Sequence, residues 1–455
     1  MPNSAPAKRT TASAVGIDFG TTNSVIACAG QDGQASLVEF AAPNGPGSVF
    51  RSALCFWEEE GIRGALGHEA GPWAIAEFLD FPQGSRFIQS FKSMAANPLF
   101  EHASLFEKRL RFEELGQIFL THLLAHGGIA LADLPDCIVI GRPVRYVGNR
   151  PDTALARTRY DAMFAMLGRS VHYVYEPLGA AYGFASGLSD PATLLVADFG
   201  GGTSDFSIVR VEAPGSPRRC TPLGSAGIGI AGDRFDYRIM DRLVLPRLGK
   251  GGTYRSFDKA VEIPAGYFTD FGDWSRLALM RNRKTMAELA RLKLNATDPA
   301  AIGRMIAVIE NELGYALYDT VGHLKRALSS QTHGHFHFEG PGLTIDAEVS
   351  RADFESWIEP DLHRIGETVD QALANAGLAA EQIDHVFLTG GSSLIPAVRR
   401  LFETRFLIPA VRRLFETRFG EERIATGNEL TSIAHGLALM AQDPDLSDWV
   451  APDGE

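Results

Sequence analysis

One pattern occurs twice in this chain, and few folds accommodate it. Val15-Gly-Ile-Asp-Phe-Gly-Thr-Thr-Asn-Ser-Val-Ile returns in outline as Val196-Ala-Asp-Phe-Gly-Gly-Gly-Thr-Ser-Asp-Phe-Ser-Ile. Each copy leaves an apolar strand through Asp-Phe-Gly and enters a second apolar strand. A strand-turn-strand unit repeated this far apart predicts two lobes built on one plan. Around the copies, strand-like and helix-like segments alternate, which predicts an α/β architecture with sheets covered by helices. Strand pairs are expected over 14–29 and 193–211, and single strands over 136–140, ending in Gly141-Arg142-Pro143, and 384–388. Helical spacing predicts helices over 112–126, 286–294, 301–328 and 354–376.

A second repeat is perfect: residues 394–406 (LIPAVRRLFETRF) recur letter for letter as 407–419. In the first copy Leu394, Ile395, Val398, Leu401 and Phe402 form an apolar stripe at helical spacing. At about 100° per residue, thirteen residues turn that stripe by roughly 220°, and Pro409 removes a helical hydrogen bond at about 3 kcal/mol. The first copy is therefore expected to serve as the native helix, and the second to break away from it.

A net charge of −12 argues against a surface built to hold nucleic acid or an anionic membrane. No run of about 18 apolar residues suggests a membrane span. The cysteines, Cys28, Cys55, Cys137 and Cys220, stand far apart, with no C-x-x-C pair and no nearby His cluster of zinc spacing, so they read as buried thiols in a reducing cytoplasm. Residues 1–13 read as a disordered tail and 442–455 as a solvated acidic tail.

The chemistry is carried by the turns. Asp18-Phe19-Gly20-Thr21-Thr22 ends a strand in a carboxylate and turns through a glycine that lets backbone N–H groups and hydroxyls approach phosphate oxygens. Magnesium keeps most of its water shell and takes one or two carboxylates, so one Asp per turn is chemically sufficient. Asp198 repeats this logic, followed by Gly200, Gly201, Gly202 and Thr203. Either turn alone also reads as an ordinary hairpin; the pair does not. At Gly390-Gly391-Ser392-Ser393 a third strand runs into glycines that admit a flat base or ribose, with a serine placed to cap the following helix. Glu176, just before Pro177, sits where a carboxylate can be aimed out of a packed helix start. The plainer reading is an acid favoured by the helix dipole.

Together GIDFGTTNS (16–24), EPLGAAYG (176–183), DFGGGTSD (198–205) and GGSSLIP (390–396) resemble the nucleotide-binding domain of the heat shock protein 70 (DnaK-like) chaperones, in that family's order and over about 15–441. The resemblance implies an actin-like ATPase fold, a duplicated ribonuclease-H-like architecture with two lobes around a central nucleotide cleft. Lobe I would span 14–193, completed by 426–441, and lobe II 194–425. It implies ATP/ADP and Mg2+ as cofactors, with Asp18 and Asp198 reaching the metal mainly through water. Gly20, Thr21, Thr22, Asn23 and Gly200–Gly202 would line the phosphates, with Thr203 near the γ-phosphate. Asp198 and Glu176 would orient or deprotonate the attacking water, and Lys92 would reach the γ-phosphate. Lys325 and Arg326 would flank the adenine, with Gly390, Gly391, Ser392 and Ser393 against the adenosine.

The expected activity is slow ATP hydrolysis by a cytoplasmic chaperone or chaperone-related switch with a protein partner, one that resembles the short YegD-like branch without a peptide-binding domain. A sugar-type kinase of the same superfamily and a non-hydrolysing switch or filament protein are the alternatives. Three positions depart from the family: Gly322 where a Glu contacts adenine, Ala231-Gly232-Asp233 in place of a double-glycine turn, and Leu430 where a carboxylate is usual.

Overall fold

The computed structural model describes residues 12–43, 45–59, 61, 64–81, 84–146, 150–185, 188, 190–213, 220–257, 259–272, 277, 280–406 and 431–450. The second copy of the perfect repeat, Leu430, residues 1–11 and residues 451–455 lie outside these residues. The chain divides into two units, one of Met1–Gly229, Gly366–Ser393 and Phe402–Glu455, the other of Ile230–Ile365 and Leu394–Leu401. Both Asp-Phe-Gly turns belong to the first unit, whereas the expected lobe boundary at 193/194 would separate them.

The principal strands of the first unit, in chain order, are β1 (Ala14–Phe19), β2 (Asn23–Ala29), β3 (Ala35–Leu37), β4 (Ala53–Glu58), β5 (Leu66–Ala70), β6 (Ser85–Gln89), β7 (Cys137–Arg142), β8 (Ser170–Tyr175), β9 (Ala192–Phe199), β10 (Ser204–Val211), β11 (Cys220–Ile228) and β12 (His385–Thr389). One sheet runs β8-β7-β1-β2-β3, another β11-β10-β9-β12, and a small third β5-β4-β6. The two expected strand pairs are antiparallel hairpins, and each leading strand has a parallel neighbour on its other side: β7 beside β1 and β12 beside β9. This is a mixed α/β fold. The echo in the sequence is an echo in register, for Phe19 faces Ser24 as Phe199 faces Ser204.

β1 and β9 are buried along their whole length, as continuous apolar runs covered on both faces must be. One face of the first sheet meets an aromatic core of Phe19, Phe50, Phe91, Phe112, Phe119, Tyr160 and Phe164. The helix Ser432–Met440 packs on β1, β2 and β7 and crosses the helix Glu176–Ala185, so closely that a side chain at Gly436 would collide with the Gly179 carbonyl. The expectation of a solvated tail from 442 is corrected: Leu446 and Trp449 are buried, with Trp449 edge-on to Tyr182 at 5.7 Å. Two large apolar side chains outweighed the local acidity. Cys55 and Cys220 are buried, while Cys28 and Cys137 are only half-buried, and all four are free thiols.

In the second unit the strands His333–Gly340 and Leu343–Ser350 form a hairpin of alternating burial. The helix expected over 301–328 is two helices, Pro299–Glu310 and Gly314–Ser330. Glu312 between them has φ 52°, a left-handed conformation that no α-helix continues through. The first copy of the perfect repeat forms the helix Pro396–Phe406, with Ile395, Val398 and Phe402 buried as the stripe requires.

Candidate active site

Strand register places the carboxylates. In the parallel pair β1/β7, Ile17 lies opposite Ile140, and in β7/β8 Gly141 lies opposite Val174. β8 ends at Tyr175 and the helix Glu176–Ala185 starts on the next residue, so Glu176 emerges at the same sheet edge as Asp18. A Cβ on Gly141 would come within 2.9 Å of Glu176 Cγ and 3.7 Å of Asp18 Oδ1, so the missing side chain leaves room for both acids. Lys92 comes from the turn Phe91–Met94 after β6, directly behind Ser90, whose φ of 53° is a strained non-glycine conformation. Its Nζ donates to Glu176 Oε1 at 2.5 Å and stands 5.9 Å from the centre of the Phe19 ring. Both partners of that ion pair are buried.

The second hairpin contributes from its own sheet. Asp198 lies opposite Asp205 on one side and Thr389 on the other. The Gly200 N–H donates to the Thr203 carbonyl at 2.9 Å, closing the triple-glycine turn. Asp205 Oδ1 accepts from the backbone N–H groups of Val144 (3.0 Å) and Arg145 (3.2 Å), just past the end of β7. Its Oδ2 is buried without a hydrogen-bond partner.

Among the described residues, Asp18, Glu176, Asp198 and Asp205 thus share one buried region with Lys92, and Arg142 is buried at the end of β7. Burial, then the charge of Glu176, push Asp18 up to about 8 against the pull of Lys92. Burial and the neighbouring carboxylates hold Asp198 well above the usual range, and burial with Glu176 raises Asp205 to about 7. Burial works against the Lys92 ammonium, but Glu176 and Asp18 keep its pKa above that of an ordinary lysine. Such a set is short of positive charge.

The remaining predicted residues divide. Ser52 Oγ donates to the Gly20 carbonyl at 2.7 Å, holding the first turn, and Thr22 Oγ1 is buried without a partner. Asn23 is committed elsewhere, its Oδ1 accepting from Arg51 at 3.1 Å. Gly390 follows Thr389 with φ 82°, a Cβ there would come within 2.1 Å of the Phe199 carbonyl oxygen, and its own carbonyl accepts from Ser393 Oγ at 2.7 Å. The third turn therefore abuts the second. Ser392 and Ser393 are buried, while Gly391 is exposed. Lys325 and Arg326 belong to the other unit. Lys325 Nζ donates to Asp236 Oδ2 at 2.8 Å and to the Gly232 carbonyl at 3.3 Å, whereas Arg326 is exposed, its guanidinium beside Gly322. Sequence reasoning passed over Asp205 and Ser52. Asp205 stood in the quoted motif, and the hairpin register that sets it opposite Asp198 was the available signal.

The chain is similar to the heat shock protein 70 chaperones. A protein-family model described as Hsp70 protein matches residues 309–442, which include the Gly390 turn but neither Asp-Phe-Gly turn. The chaperone protein DnaK of Thermus thermophilus is 26% identical over 407 residues, 86% of this chain and 56% of its own length. The DnaK of Deinococcus radiodurans is 26% identical over 407 residues and that of Deinococcus deserti 27% over 405, each across 86% of this chain and 55% of its own. The chain spans about half the length of these curated relatives. No helix among the described residues is long and apolar enough to cross a membrane.

Proposed function

We propose that this chain binds ATP with magnesium and hydrolyses it to ADP and phosphate, on an actin-like fold whose two Asp-Phe-Gly hairpins come from duplicated lobes. The observation that carries the proposal is the buried group of four carboxylates around Lys92. Burying acids without balancing charge is costly, and a divalent cation is the species that such an oxygen set accommodates. The donors fit magnesium: they are hard oxygens, with no sulfur or imidazole among them. A bound magnesium ion would neutralise phosphate oxygens and the acids together.

In this reading Asp18 and Asp198 hold the metal through its water shell, and Lys92 adds a fixed positive charge for the terminal phosphate. Gly20, Thr21, Thr22 and Gly200–Gly202 present backbone N–H groups and hydroxyls, with Thr203 beside the transferred group. Glu176 and Asp198 orient the attacking water. Lys92 and Glu176 hold each other in place, so neither pays the entropy of ordering at the moment of reaction. Gly390, Gly391, Ser392 and Ser393 take the adenosine. Hydrolysis would drive a chaperone-type switch acting on a protein partner, as the similarity to DnaK suggests.

Phosphate release by the purified protein tests this. Wild type should turn over slowly, and Asp18→Ala and Asp198→Ala should each lose about 100-fold or more. Two variants that hydrolyse ATP like wild type would end the proposal. Phosphorylated product appearing on addition of candidate sugars would show a kinase instead.

A further inference from the structure

Away from the carboxylate group, a second cluster of titratable side chains lies between β5 and the helix Phe112–His126. His122 and His126 are one helical turn apart and so face the same way. Glu69 meets them from β5: its Oε1 is 2.8 Å from His122 Nδ1 and 3.0 Å from His126 Nε2. The three donor atoms lie within 4.8 Å of one another. All three side chains are half-buried, with 18–24% of each exposed, so the cluster is shielded yet reachable from solvent.

We propose that Glu69, His122 and His126 bind a zinc-class divalent ion and clip β5 to the helix. Two imidazoles and one carboxylate are the donor set of a three-ligand zinc site, with the fourth position left to water. The surrounding side chains are placed to support it. His122 Nε2, the nitrogen turned away from Glu69, is 2.9 Å from His68 Nδ1, and the His126 ring is stacked on Trp73 at 3.6 Å. A partner on the remote nitrogen orients a ligating imidazole and sets its tautomer. As the structure stands, His122 and His126 both donate to one carboxylate oxygen that also accepts from the Ala70 N–H at 2.8 Å. On metal binding each imidazole stays neutral, its proton moving to the far nitrogen. On His122 that nitrogen is Nε2; His68, whose Nδ1–H donates to it in the metal-free state, shifts that proton to its own Nε2 so that its Nδ1 accepts instead. No net proton is released, and the ion takes the place of two N–H donors. Nitrogen donors favour zinc, cobalt or nickel over magnesium, which separates this site from the all-oxygen one.

The test is zinc titration of the full chain in the Asp18→Asn background, which weakens competition from the carboxylate group. After desalting, zinc is counted by elemental analysis, and cobalt is added separately to read its visible tetrahedral absorption. One zinc per chain is expected, together with a rise in thermal midpoint. Glu69→Gln and His122→Gln should each weaken binding at least 100-fold. His126→Phe should do the same while keeping a ring against Trp73, which guards against simple misfolding. His68→Phe, which touches only the supporting nitrogen, should cost 10–100-fold. ATP hydrolysis by otherwise wild-type protein carrying His126→Phe should be unchanged. No retained zinc, or equal retention by these variants with native circular dichroism, would overturn the site.

Discussion

In the first Asp-Phe-Gly hairpin the turn is held from outside: Ser52 donates to the Gly20 carbonyl, Ser24 and Ser52 share a 2.9 Å hydrogen bond, and Phe19 stands 5.5 Å from Phe91 and 5.6 Å from Phe119. In the second the turn closes on itself through Gly200 and Thr203, and Phe199 packs on Phe206 and on Phe402 of the following helix. The backbones share a register and differ in support. Equivalent positions in a repeat are therefore not equivalent in energy, because each answers to its own neighbours.

The comparison can be broken most forcefully at Lys92, which counters acids of both hairpins. Lys92→Met leaves Glu176 buried without its cation, and a loss of about 3–5 kcal/mol in chemical denaturation is expected. A near-neutral result would mean that the carboxylates are not held as a set.

Next is the pair Gly20→Ala and Gly200→Ala. A Cβ on Gly20 would drive into the Asn23 carbonyl, whereas one on Gly200 would meet the Thr203 carbonyl at 3.3 Å. The first should cost about 1–3 kcal/mol and the second less than about 1, although the second turn is the richer in glycine. Equal costs would erase the asymmetry.

A pH series sharpens it further. Val25 stands opposite Asp18, but Asp205 stands opposite Asp198. With Asp205 raised from 3.8 to about 7, the folded state holds a proton that the unfolded state releases across that interval. Stability from this group therefore falls as pH rises from about 4 to 7, by up to about 1.4 kcal/mol per pH unit, and levels off above. Asp205→Asn keeps an acceptor for the Val144 and Arg145 N–H groups and does not titrate. The difference between wild type and variant in urea midpoints should therefore shift against wild type from pH 5 to 7, and parallel curves would refute the assignment. Ser52→Ala is expected to cost about 1 kcal/mol, with faster amide exchange confined to the first turn.

How much of this was legible beforehand follows from the range of the forces involved. The hairpins, the helix 112–126 and the strand into Gly390 were readable because apolar periodicity and turn glycines are local. The break at Glu312 was not, since the apolar pattern runs on across it while the backbone turns left-handed at one residue. Trp449 was misjudged because its burial depends on a surface of Tyr182 and its neighbours, far away in sequence. At the candidate site, Asp18, Asp198, Glu176 and Lys92 could be named from motifs, but not the Lys92–Glu176 pair.

By itself, then, the sequence determined the two strand-turn-strand units, the α/β class and the residue types that stand at the turns. Only the tertiary structure decided which acids share one dielectric environment, that Asp205 joins them, and that Glu69 meets two histidines of a distant helix. Periodicity is written between neighbours three or four residues apart, whereas desolvation and charge coupling depend on distances that exist only once the chain has folded.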